Sequence, residues 1–129
     1  MFTADQIVAH LIGDYVLQSQ WMSDEKVKRW LPAVTHAFYY AVPFLFLLPS
    51  PPAWALIIAS HFVIDRWRLA RYVVAAKNFL CPPGTAHRWA YRYGTGYPPS
   101  VPPYLAVWLL IICDNVMHLI CNALALRYL

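Results

Sequence analysis

Apolar positions gather in four stretches of the chain, and three of these are broken by ionisable residues four apart. The first, about residues 3–21, reads TADQIVAHLIGDYVLQSQW and is helically periodic but polar. The second, about 33–48, is AVTHAFYYAVPFLFLL, closed by PSPP. The third, about 53–77, runs from AWALIIASHFVID into RWRLARYVVAAK, and the fourth, about 103–127, is PYLAVWLLIICDNVMHLICNALALR. The second and fourth come close to the ~20 residues that cross ~30 Å of hydrocarbon. Backbone in lipid must satisfy its hydrogen bonds internally, so all four are expected to be helices. Between the third and fourth, residues 78–102 hold prolines and glycines that exclude a regular helix, with Trp, Tyr and Arg suited to headgroups. The pattern therefore predicts an all-α, polytopic membrane protein: one transmembrane domain over 1–129, a four-helix bundle with an interfacial loop.

Composition agrees with a lipid solvent. The chain is 60% hydrophobic and 16% aromatic, and its 12% charged residues are about half the share of a soluble domain. The net charge of +4 comes from residues beside the apolar stretches, which favours a membrane edge over nucleic acid. Lys26, Lys28 and Arg29 follow the first stretch, and Arg66, Arg68, Arg71 and Lys77 follow Asp65, while the PSPP turn has none. By the retention of basic loops inside, both basic faces are cytoplasmic and both termini lie outside. No basic leader or small-residue cleavage site precedes the first stretch, so no cleaved signal is expected. Cys81, Cys113 and Cys121 have no metal or disulfide spacing.

The ionisable residues inside the apolar stretches need a reason. The first stretch carries His10 and Asp14, the third His61 and Asp65, and the fourth Asp114 and His118. Residues four apart share a helical face. The order reverses on the helix that runs in the opposite direction, which sets the three histidines at one depth and the three aspartates at another. Each charge costs ~2.5–3.5 kcal/mol at a helix centre in lipid, and three facing carboxylates repel. A divalent cation relieves both, and imidazole with carboxylate suits a transition metal: zinc first, with manganese or iron as alternatives, as one or two ions. The competing readings are hydrogen-bonded His–Asp pairs without metal, and a proton or ion path. Gln18 could orient a ligand, His36 could complete a site or hold substrate, and Arg68 could meet a phosphate. Tyr39 and Tyr40 read as interface anchors, and His87 has no evident partner.

The segments AHLIGDYVLQSQWMSDEK, THAFYY and HFVIDRWR resemble a phage- and bacterium-borne membrane family catalogued as domain of unknown function 3307. Its pattern maps onto His10, Gly13, Asp14, Gln18, Lys26, His36, His61 and Asp65. The resemblance implies a small integral membrane protein, often phage-encoded, of the bacterial inner membrane, without a settled activity. The recurring His-x-x-x-Asp is also similar to membrane-bound metal-dependent hydrolases. Three functions follow as expectations: a metal-dependent hydrolase of a lipid-like substrate with Asp14 as catalytic base, an ion or metal transporter, or a metal-stabilised structural or host-interaction protein. The expected partners are membrane lipids and a second copy of the chain, and not nucleic acid.

Overall fold

In the computed structural model, residues 2–81 and 88–129 are described; His87 lies outside them. The chain is all-α, with no strand among the described residues. Helix α1 (Ala4–Leu11) starts at Thr3, whose side chain accepts from the Gln6 amide at 3.2 Å, a capping bond that satisfies one of the free N-terminal donors. It passes directly into a π-helical turn, Ile12–Val16, closed by a bond from the Leu17 amide to the Ile12 carbonyl at 3.0 Å. The expected single helix over 3–21 is thereby divided. Ser19 caps a new short helix, α2 (Gln20–Glu25), by accepting from the Met22 amide.

Helix α3 (Trp30–Ala41) begins three residues before the expected 33, because Pro32 falls in the first turn, where a missing N–H costs nothing. Pro43 opens a 3-10 segment, Pro43–Leu47, and Leu48 ends it in a left-handed conformation at φ 52°. Helix α4 (Pro51–Trp67) follows, its first turn capped by Ser50, whose Oγ accepts from the Ala53 amide at 3.2 Å. The expected continuation to Lys77 is interrupted at Arg68, which takes φ 51°, so α5 (Ala70–Lys77) is a separate helix. After short 3-10 turns at Asn78–Leu80 and Trp89–Tyr93 comes α6 (Pro103–Tyr128). At 1.5 Å per residue, its 26 residues make a rod of about 39 Å.

The chain divides into two compact units, residues 1–67 with 117–129, and residues 68–116. The core of the first is built from Tyr40, Phe44 and Ile57 among Ala9, Ala41, Ala53 and Ala125. Alanines at the contacts let helices approach closely, as membrane helices do when dispersion replaces the hydrophobic effect. The Trp54 indole donates to the Ala41 carbonyl at 2.8 Å and ties α4 to α3. Gly13 lets the π turn lie on α3: a Cβ there would strike the Tyr40 carbonyl and stand 3.0 Å from both the Cα and Cδ2 of Tyr40. In the second unit, the Asn78 side chain donates to the Gly96 carbonyl at 2.9 Å. Gly96, at φ 87°, leaves no room for a side chain against Val74.

Two stretches, Trp30–Leu47 and Pro103–Tyr128, are long and apolar enough to cross a membrane. Polar side chains share the interior with the apolar core, and many large apolar side chains face outward. Gln6, His10, Asp14, His36, His61, Asp65, His118 and Asn122 are buried, while Trp30, Leu31, Phe46, Leu48, Trp108, Ile112 and Ile120 are exposed.

Candidate metal centre

The buried polar residues of the first unit are presented by recurring four-residue steps. Gln6, His10 and Asp14 descend α1 into the π turn, His36 and Tyr40 share a face of α3, His61 and Asp65 a face of α4, and His118 and Asn122 a face of α6. On a 3.6-residue helix such steps drift by about 40° each. The wider π turn slows that drift between His10 and Asp14, which keeps Asp14 aimed inward; π turns are common at functional sites for this kind of reason.

Four donor atoms converge: Asp14 Oδ1, His36 Nε2, His61 Nε2 and Asp65 Oδ2, all within 4.8 Å of one another. His36 Nε2 and His61 Nε2 are 2.9 Å apart. Asp65 Oδ2 lies 3.1 Å from the first and 3.2 Å from the second. Asp14 Oδ1 stands further off, at 3.3 Å from His36 and 3.9 Å from His61. Nitrogen and oxygen ligands about 2.0–2.1 Å from zinc in a tetrahedral shell are ~3.3–3.4 Å apart. The observed spacings bracket that edge. The cluster could therefore hold a metal ion.

Lys26 reaches the same place from the C-terminal end of α2. Its ammonium donates to Asp65 Oδ2 at 2.6 Å and to Gln18 Oε1 at 2.7 Å, and it lies 3.2 Å from His36 Nε2. If Lys26 donates to His36, Asp14 faces a ring lone pair instead of a proton. The centre is then short of positive charge. Both His36 and His61 also keep a buried Nδ1 without a hydrogen-bond partner, which leaves the hydrogen bonding of the rings incomplete. His36, His61 and Asp65 would hold a divalent cation, which would supply the missing positive charge.

Around these donors lies a supporting layer. His118 Nε2 is 3.2 Å from Asp65 Oδ1, the oxygen turned away from the centre. The Tyr40 ring stacks on His61 with centroids 3.5 Å apart and planes 13° from parallel. The Tyr40 hydroxyl accepts from Asn122 Nδ2 at 2.6 Å and is hydrogen-bonded with His10 Nδ1 at 2.9 Å. His10, His61 and His118 form one level, with ring centroids 5.9 Å apart for His10–His118 and 4.2 Å for His61–His118. His10 thus meets Tyr40 and His118, whereas His36 stands among the converging donors. Asp114, one turn before His118 on α6, is half-buried and falls in the second unit. Arg68 is exposed beyond the end of α4 and does not extend the His61–Asp65 face.

Three of the participants escaped the sequence reading. The sequence marks Lys26 only as a topology charge and a resemblance position, because its place in a loop hides how far its side chain reaches, and Tyr40, expected as an interface anchor, is fully buried instead. Tyr40 is four residues from His36, and Asn122 four from His118, which is the signal that could have found them.

Residues 2–128 match the family described as protein of unknown function, DUF3307. The chain belongs to that family. No curated protein and no solved structure matches it. The DUF3307 positions named from the resemblance meet in one place: Asp14, Gln18, Lys26, His36, His61 and Asp65 are linked by direct contacts. Gly13 and His10 join them through Tyr40. The family description assigns no activity, so DUF3307 membership leaves the chemistry to be argued from the site.

Proposed function

We propose that this DUF3307 member is a metal-dependent hydrolase of a lipid-like ester, embedded as a multi-pass four-helix bundle in the bacterial cytoplasmic membrane with both termini outside. The many large apolar side chains on the exterior and the two stretches long enough to span support the membrane setting. The observation that carries the chemistry is the near-equilateral triangle of His36, His61 and Asp65, with edges of 2.9, 3.1 and 3.2 Å. Two imidazoles and a carboxylate, with a fourth position left for water, form a catalytic rather than a closed structural ligand set. A divalent metal, zinc first on this donor set, would supply Lewis acidity and make water acidic enough to deprotonate near neutral pH.

Asp14 stands at the open side of the triangle and serves as base. As the oxygen of water bonds to the electrophilic centre of the ester, Asp14 takes its proton. The ester bond to the leaving oxygen then breaks, and that oxygen receives the proton from Asp14. His118 holds Asp65 by its outer oxygen, and the stacked Tyr40 fixes the plane of His61. The test is metal content and ester turnover of purified protein, for wild type and Asp14→Asn. Asn keeps the shape but accepts no proton, so turnover should fall by about 100-fold or more with metal retained. Unchanged turnover would remove Asp14 from this role.

A second reading is favoured by the hydrogen-bonded run Gln18–Lys26–Asp65–His118, which leads from a partly exposed group to a fully buried one. Such a run suits an ion or proton path. Metal-dependent flux in liposomes without turnover of any ester would select it over hydrolysis.

A further inference from the structure

Within the first unit, the converging groups are two carboxylates, Asp14 and Asp65, one ammonium, Lys26, and imidazoles, which must be neutral to hold a metal. Their sum is one negative charge, and a divalent cation changes it to one positive. Held by His36 and Asp65, the cation would compete for the two groups that Lys26 now faces at 3.2 and 2.6 Å. Of its three partners the ammonium then keeps Gln18, and like charge pushes it away from the centre.

Exposure shows the direction available to it. The Lys26 side chain is 17% exposed, against 7% for Asp65 and 1% for His36, so Lys26 forms the mouth and the histidines the closed floor. The same end of the unit carries interfacial residue types. Arg66 donates to the Val27 carbonyl and lies 5.2 Å over the Trp30 ring. Trp30 in turn contacts Phe62 and Trp67 at 5.8 and 6.2 Å. Tryptophan with arginine and lysine marks the headgroup level of a membrane.

We infer, resting on the metal reading above, that the substrate is a phosphate ester presented at headgroup depth, its oxyanion held between the bound cation and the ammonium of Lys26. Gln18 keeps Lys26 aimed at the mouth. Hydrolysis then forms the new bond from the oxygen of water to phosphorus and breaks the phosphorus–oxygen bond to the alcohol, which leaves with the proton relayed by Asp14. The oxyanion binds after the metal, because only then is the excess charge positive.

The test uses the full chain in mild detergent, titrated calorimetrically with zinc and then with two probes, inorganic phosphate and short-chain phosphatidic acid. Zinc-loaded protein should bind a phosphate probe roughly tenfold or more tighter than metal-free protein, the scale of one charge-assisted hydrogen bond. Lys26→Met should lose that gain while keeping or raising its zinc affinity, which also demonstrates that the variant folds. Gln18→Glu, which sets a negative charge beside the oxyanion, should weaken the phosphate probe and spare zinc; Lys28→Met should change neither. Binding of phosphatidic acid alone identifies a lipid headgroup as the source, and binding of both probes shows that the oxyanion suffices. Zinc binding without any gain in phosphate affinity, or a gain that survives Lys26→Met, overturns this inference and leaves the metal centre standing. Absence of zinc binding overturns the metal centre itself, and this inference with it.

Discussion

The two units differ in how they place some of their charged side chains. In the first, one set of charged and polar side chains turns inward and meets: Lys26 on Asp65 at 2.6 Å, His36 on His61 at 2.9 Å, Asn122 on Tyr40 at 2.6 Å, while Arg66 and Arg127 lie over Trp30 and Tyr128. In the second, the cations lie on aromatic faces. Arg71 is 5.0 Å over Tyr72, Lys77 is 5.3 Å over Tyr97, and Arg92 is 5.2 and 4.2 Å over Trp89 and Tyr93. A cation on a ring is satisfied locally and at low cost, so it anchors without being poised for chemistry. A buried ionised network is worth its desolvation only if every member is paired. The difference sets the converging titratable groups of the first unit apart from the cation–aromatic contacts of the second.

If that contrast is right, substitutions in the first unit should be far more costly. The largest effect is expected for Asp65→Ala, which leaves Lys26, His36, His61 and His118 without their shared acceptor. A loss of about 3–5 kcal/mol is expected, read by denaturant or thermal unfolding in detergent; a loss below ~1 kcal/mol would mean that the network is not a structural unit. Next is Gly13→Ala, which drives a methyl group into the backbone and ring of Tyr40. Overpacking of this kind costs about 1–3 kcal/mol, and the lowered melting temperature should come with reduced ester turnover, since the π turn carries Asp14. Tyr40→Phe keeps the stack on His61 but abandons the hydrogen bonds to His10 and Asn122. About 1–3 kcal/mol is expected for groups left buried and unpaired, and adding Asn122→Leu to the same chain should recover part of it. The smallest effect belongs to the second unit: Arg92→Ala should cost less than ~1 kcal/mol and leave metal content unchanged. An Arg92 effect as large as that of Asp65 would erase the distinction between the units.

Much of this arrangement is legible in the sequence because side chains four apart must share a helical face. The His10–Asp14, His61–Asp65 and Asp114–His118 steps declare themselves against an apolar background, and the all-α class follows from the same periodicity. What is not legible depends on reach and on backbone exceptions. Lys26 enters the centre from outside any long helix, on a flexible four-carbon stem. The left-handed turn at Arg68 breaks the third stretch without a glycine or proline to announce it. His36 stands alone in its stretch without a carboxylate partner four residues away, and only packing of α3 against α4 brings it to His61.

The π turn at Ile12–Val16 has a consequence for how this family can tolerate length changes. A π turn is an α-helix with one residue too many, so removing a single residue between His10 and Asp14 would restore regular α geometry. His10 and Asp14 would then stand three residues apart on a regular α-helix, about 60° out of line around its axis, and the turn that aims Asp14 inward would be lost. Between these two positions the number of residues matters more than their identity. An insertion or deletion there is therefore expected to be far more damaging than most substitutions, in a stretch where the surrounding side chains could otherwise be exchanged for others of similar size.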